Sequence, residues 1–178
     1  MKRLRHWVIA GIAWALLAMQ AFAQAPKQDE TWARWKFLIG DWTGVGSGEP
    51  GKGAGRFSFA PDLDGKILVR KSFSEYPPKP GEKTGVRHED LMIVYQSPEG
   101  SGFRAVYFDN EGHVIHYAVT FPAKQPSVVF ESEQKPGIPR YRLDYEMGSN
   151  NEVQITFSIA PPGQPYKVYI QGKSKRND

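Results

Sequence analysis

Lys71 is the side chain in this sequence best placed to do chemistry of its own. It alternates in step with Ile67, Val69 and Phe73, so on a strand it would share their apolar face, where an unpaired ammonium costs several kcal/mol. Such a lysine needs an acid, an anionic ligand group or a bulge that turns it to solvent. Facing inward, it would hold the head group of an amphipathic acid. Together with tyrosine hydroxyls such as that of Tyr107, it could act as acid and base in a dry cavity. The four histidines offer less. His113 and His116 are three residues apart, which on a strand sends them to opposite faces, and His113 reads as a hydrogen-bonded turn residue at a hairpin neck beside Asp109. Glu131 and Glu133 share a strand face and read as surface acids rather than a catalytic pair. Ser47 and Ser101 stand in Gly-Ser-Gly contexts without the nucleophile-elbow pattern, and neither H-E-x-x-H nor a phosphate-binding loop occurs. The residues lean away from an enzyme.

What positions these groups is a run of strands. Period-two patterning over 41–48, 52–60, 66–75, 88–96, 102–109, 113–121, 127–134, 140–147, 152–160 and 166–176 predicts ten strands, broken by turn clusters such as Glu49-Pro50-Gly51 and Pro161-Pro162-Gly163. Connections this short hold no crossover helix, so the strands run antiparallel as a meander, and a sheet of that size tends to curl and close. Ahead of them, 29–37 predicts one short helix capped by Asp29, with Trp32 and Trp35 on one face. The proline-rich stretch 76–85 reads as a linker between strands, with the covering of an opening as its other role.

Parity then sorts the side chains. Tyr141, Leu143, Tyr145 and Met147 alternate with polar neighbours, as do Val153, Ile155, Phe157 and Ile159. Asn110-Glu111-Gly112 suits a three-residue hairpin loop with Gly112 left-handed, which pairs Asp109 with His113. That register puts Phe103, Ala105, Tyr107, Ile115, Tyr117 and Val119 on one face, and a slip by one residue would expose groups whose burial stabilises by about 1.5–3 kcal/mol each. Glycines cluster on the face of Trp42 (Gly44, Gly46, Gly48) and on that of Phe57 and Phe59 (Gly53, Gly55). Bare backbone on adjacent strands implies a sharp bend or close approach by another body. A ligand, the tryptophan-bearing helix and a loose mouth loop all satisfy it.

Residues 1–23 read as a signal peptide: Lys2, Arg3 and Arg5, an apolar run over 7–19, and Ala21-Phe22-Ala23 as the cleavage pattern. The apolar run falls short of the roughly 20 residues of a spanning helix, so no membrane span is expected after cleavage. Residues 24–28 read as a loose leader and 29–178 as one barrel domain in the periplasm or secreted outright. The leader carries three of the four net positive charges, and 20 basic against 19 acidic residues remain after it. A near-neutral body lacks the clustered positive field that nucleic acid or an anionic membrane requires. The chain has no cysteine, which excludes disulfides, thiolate metal sites and a cysteine nucleophile.

Gly40-Asp41-Trp42-Thr43-Gly44-Val45-Gly46, after a short helix and before Leu63-Asp64-Gly65-Lys66, resembles the opening of lipocalin (calycin) barrels. The fuller motif is similar to bacterial exported lipocalin-like domains of unknown function and, distantly, to nitrobindin-like haem barrels. The resemblance implies that Trp42 closes the barrel floor beneath an arginine of the last strand, here Arg176, in a pair worth about 0.5–2 kcal/mol. Haem would need a histidine late in the chain, and the last one is His116, so no cofactor and no metal is expected.

These expectations converge on an all-β protein, an antiparallel meander of about ten strands closed into a lipocalin-like barrel with one short helix at its end. It would bind a small hydrophobic or amphipathic molecule lined by Phe57, Phe59, Lys71, Tyr107, Tyr117, Tyr145 and Phe157. The alternatives are a cavity enzyme of isomerase or lyase type and a structural or interaction protein of the cell envelope. Strand 88–96 is apolar on both faces, Met92 and Val94 against Leu91, Ile93 and Tyr95, which would suit a homodimer through that sheet.

Overall fold

A computed structural model describes residues 31–49, 53–78, 80–100, 102–123 and 126–177. The expected signal peptide at 1–23, the expected leader at 24–28 and the expected Asp29 cap lie outside them, as does Ser101. The chain divides into Met1–Ala33 and Arg34–Asp178, and the second unit is the barrel. Ten strands build it: β1 Gly40–Glu49, β2 Ala54–Asp62, β3 Ile67–Tyr76, β4 Val86–Gln96, β5 Phe103–Asp109, β6 Val114–Thr120, β7 Ser127–Ser132, β8 Arg140–Met147, β9 Glu152–Ala160 and β10 Lys167–Arg176. Each pairs antiparallel with its sequence neighbour, and β1 pairs with β10, closing the ring. The expected hairpin register holds: Phe103 faces Val119, Ala105 faces Tyr117 and Tyr107 faces Ile115, with Gly112 at φ 91° in the turn. The 76–85 segment joins a hairpin whose last pair is Tyr76 and Val86. No described helix is long and apolar enough to cross a membrane.

In the described part of the expected helix over 29–37, Thr31 alone is α-helical and a 3-10 turn, Ala33–Trp35, follows. Fewer than about 12 residues seldom hold an α-helix without tertiary support, and here the contacts of one indole decide the path. Trp35 is fully buried, with its ring centroid 5.1 Å from Phe121 and 5.4 Å from Phe103 in edge-on contacts. The chain then folds back through hydrogen bonds from the Leu38 and Ile39 amides to the Trp35 carbonyl (2.8 and 3.2 Å).

Closure is anchored at this end. Trp42 and Arg176 are register partners, and the guanidinium carbon lies 4.5 Å from the Trp42 ring centroid. Arg176 donates from Nη1 to the Ile39 carbonyl and from Nη2 to the Phe37 carbonyl (2.6 Å), while Trp42 Nε1 donates to the Leu38 carbonyl (2.9 Å). Gly40 makes room for this: its φ is +123°, and a Cβ there would sit 3.0 Å from Arg176 Nη1. Gly44, Gly53 and Gly55 answer to close approach as well, but by the barrel wall itself. A Cβ at Gly44 would meet the Gly55 carbonyl oxygen at 3.3 Å, one at Gly55 the Phe73 carbonyl oxygen at 3.0 Å, and one at Gly53 the Tyr76 ring at 2.7 Å.

Candidate functional site

The barrel interior is unequal from end to end. Near the Trp42 end the inward side chains Leu68, Val94, Val128, Phe130, Tyr145 and Val153 are completely buried. Aromatic rings fill this half: Phe57 stacks on Trp42 at 5.7 Å, and Tyr145 meets Phe57, Phe59 and Phe130 at 5.5, 5.6 and 6.1 Å. Toward the other end, the inward residues Ser72, Tyr107, Ile115, Tyr141, Ile155 and Phe157 are partly exposed. Inward direction combined with solvent contact describes a cup over a solid aromatic floor. Gly172, opposite Ile155 on β10, contributes to it, since a Cβ built there meets no heavy atom within 4 Å.

Among these rings the floor also carries charge. Arg70 and Asp90, with side chains 8 % and 6 % exposed, form an ion pair there. The guanidinium also lies 5.8 Å from the Phe57 centroid and 5.9 Å from that of Tyr145. Burial alone would disfavour its charge, but Asp90, Tyr145 and Tyr107 together outweigh this and Arg70 is held more firmly protonated than usual. Beside the pair, His88 joins two loops of the network, with Nε2 3.0 Å from the Tyr107 hydroxyl and Nδ1 3.0 Å from Glu111. Tyr107 donates to Asp109 Oδ2 at 3.3 Å, and Asp109 accepts from the His113 ring at 2.8 Å. Burial, then the charges of Asp90 and Asp109, push the Tyr107 hydroxyl well above the ordinary tyrosine value of 10. Burial does the same to Tyr117, and raises Tyr145 to about 12 against the pull of Arg70. All three phenols are therefore neutral donors near pH 7. The Tyr145 oxygen accepts from the Arg70 guanidinium, and Arg70 Nε and the Tyr145 O–H lack an acceptor of their own among the described residues.

Of the residues expected to line a ligand, Tyr107 and Phe157 stand on the cup wall, where Phe157 stacks on Tyr141 at 6.1 Å and 5°. Tyr117, Phe57 and Tyr145 lie in the floor, and Phe59 packs deeper, 6.3 Å from Trp35. Lys71 is not among them: it is exposed on the outer face, and its neighbours Arg70 and Ser72 on β3 face inward. The expectation failed because β3 is apolar on both parities, with Ile67, Val69 and Phe73 half-buried on the outside. Arg70, Asp90 and His88 are the members that parity reasoning passed over, and Tyr141, which parity put on the apolar face, was not among the expected lining residues. Asp90 carried a legible signal, since it shares a face with Met92 and Val94, and an acid on an apolar face needs a cation.

Lys71 belongs to an outer groove of about 770 Å³ lined by Arg56, Ser58, Lys71, Phe73, Leu91 and Phe108. Glu131 and Glu133 lie outside too, 3.9 Å from Arg142 and 3.5 Å from Arg104. His116 is exposed on the outer face. Among the described residues no three His, Asp or Glu side chains gather as a metal site, and His88, the histidine turned into the barrel, has both ring nitrogens engaged.

Asp109 supplies a pH dependence. Burial would raise its pKa, but the His113 amide, the His113 ring and the Glu111 amide together bring it below the ordinary 3.8. A depressed folded-state value stabilises the fold fully above 3.8 and loses that stabilisation as the pH falls below it. Urea midpoints of the wild type should therefore fall more steeply below that pH than those of Asp109→Asn, and parallel curves would remove the assignment.

Compared with known proteins, the chain matches no protein-family model and no curated protein.

Proposed function

We propose that this chain is an exported lipocalin-like barrel, periplasmic or secreted, that binds one small and mostly apolar molecule in the cup. The observation that carries the reading is the contrast between a filled aromatic half and a half whose inward tyrosines, isoleucines and Phe157 still reach solvent. Apolar walls give the affinity and the few polar groups of the floor fix orientation, the common plan of small-molecule sites. The signal-peptide pattern at 1–23 supports export. No cofactor enters the proposal. The enzymatic alternative drew on Lys71 as its base, and Lys71 is exposed on the outer face.

Native mass spectrometry of protein purified from its own host tests this. Wild type and Lys71→Met should carry the same small mass, and Gly172→Leu, which places a side chain in open space beside Ile155, should carry little of it while folding normally. A loss of 1.4 kcal/mol in contact free energy already lowers affinity about tenfold. Equal occupancy in Gly172→Leu would overturn the cup as the site. A clean dimer without any small mass would favour a second reading, homodimerisation through the outer face, where Phe108 is 40 % exposed beside Leu91.

A further inference from the structure

We propose that the cup selects ligands whose polar end is a neutral oxygen acceptor, such as the carbonyl of a ketone, ester or aldehyde, and discriminates against free carboxylates. The inference rests on the cup being the binding site and names the chemistry that its floor accepts.

The floor presents donors in excess of acceptors. The Tyr145 oxygen accepts from the Arg70 guanidinium, which leaves the buried Tyr145 O–H without an acceptor among the described residues, and an unmatched buried donor costs about 1–3 kcal/mol. The two residues belong to one cluster, for the Arg70 guanidinium carbon lies 5.9 Å from the Tyr145 ring centroid. An acceptor atom delivered to that O–H would satisfy it, and that relief is available to a ligand carrying oxygen at its apolar tip. Acceptance of a hydrogen bond does not require the oxygen to be charged.

Charge balance decides against the anion. A lone buried guanidinium would call for a carboxylate, but Asp90 already neutralises Arg70 inside the same floor. Asp109, with its side chain 4 % exposed, adds a second carboxylate beside Tyr107. The groups facing the floor are thus Arg70 on β3, His88 and Asp90 on β4, Tyr107 and Asp109 on β5, Tyr117 on β6 and Tyr145 on β8. A ligand carboxylate would enter as a third negative charge, desolvated and next to Asp90, where like charges repel. A carbonyl meets the same donors without that cost.

The test is calorimetric titration of the full-length mature protein at pH 8 with 2-decanone and with decanoate, a matched pair of the same carbon count. The ketone should bind at least about tenfold more tightly, equivalent to 1.4 kcal/mol. Tyr145→Phe should weaken the ketone by about threefold to tenfold, the range for one hydrogen bond, and should leave decanoate unchanged. Decanoate binding as tightly as the ketone, or a ketone affinity indifferent to Tyr145→Phe, would overturn the selectivity while leaving the cup in place. Binding of neither compound at millimolar concentration would overturn the cup reading and the selectivity with it. Circular dichroism of Tyr145→Phe confirms that a lost affinity is not a lost fold.

Discussion

Trp42→Ala should lower the free energy of unfolding by about 3–5 kcal/mol, the range for emptying a buried tryptophan site. Against the 5–15 kcal/mol of an ordinary domain, that brings the barrel close to unfolding at room temperature. Three contacts go together: the stack on Phe57 at 5.7 Å, the Nε1 bond to Leu38 and the face offered to Arg176. Arg176→Ala removes the guanidinium but leaves the indole, and with it the two carbonyls of Phe37 and Ile39 lose their donor. A charge-assisted bond contributes about 1.5–3 kcal/mol, so this variant should fall short of Trp42→Ala. Urea unfolding of both, and of the double variant, measures the coupling. Single losses that simply add would mean that the indole and the cation act separately, contrary to the 4.5 Å contact.

Asp90→Ala should be comparably damaging, by about 3–5 kcal/mol, because it leaves the Arg70 charge buried and uncompensated. Removing both charges in Arg70→Met with Asp90→Leu should restore stability to within about 1–2 kcal/mol of wild type, since apolar groups of similar volume often replace a buried pair at little cost. The double variant should nonetheless bind the ketone weakly, having lost the guanidinium donor beside Tyr145. Stability recovered with affinity lost would assign the pair to recognition. A double variant as unstable as Asp90→Ala would assign it to folding. Chemical denaturation and the same calorimetric titration separate these outcomes.

The barrel was readable because most strands alternate cleanly and their turns are short. In β8 and β9, Leu143, Tyr145, Val153 and Ile155 face inward as period two requires, and the Asp109–His113 neck follows from Asn110-Glu111-Gly112. Trp42 and Arg176 meet because antiparallel closure sets the end of β10 beside the start of β1. β3 was not readable in the same way. Its adjacent cations Arg70 and Lys71 must point to opposite faces, and apolar residues on both parities leave the choice to tertiary packing. The short helix differed for a related reason: the buried Trp35 ring, a long-range contact, outweighs local propensity. His88 entered the site through its partners Tyr107 and Glu111, one on the next strand and one in the following turn, neither of which sequence spacing reveals.

Ring closure through β1 and β10 has a consequence for biosynthesis. A nascent chain emerging from the ribosome carries β1 for more than a hundred residues before its second partner exists, so that ribbon travels with an unsatisfied rim of amide and carbonyl groups. Such rims recruit other chains. Here the waiting ribbon reads Gly-Asp-Trp-Thr-Gly-Val-Gly-Ser-Gly-Glu, a composition with few side chains for a foreign strand to zip against. Gly44, which nests against the Gly55 backbone in the finished ring, belongs to a run of glycines whose bareness makes the last-sealed seam a poor template for aggregation during synthesis.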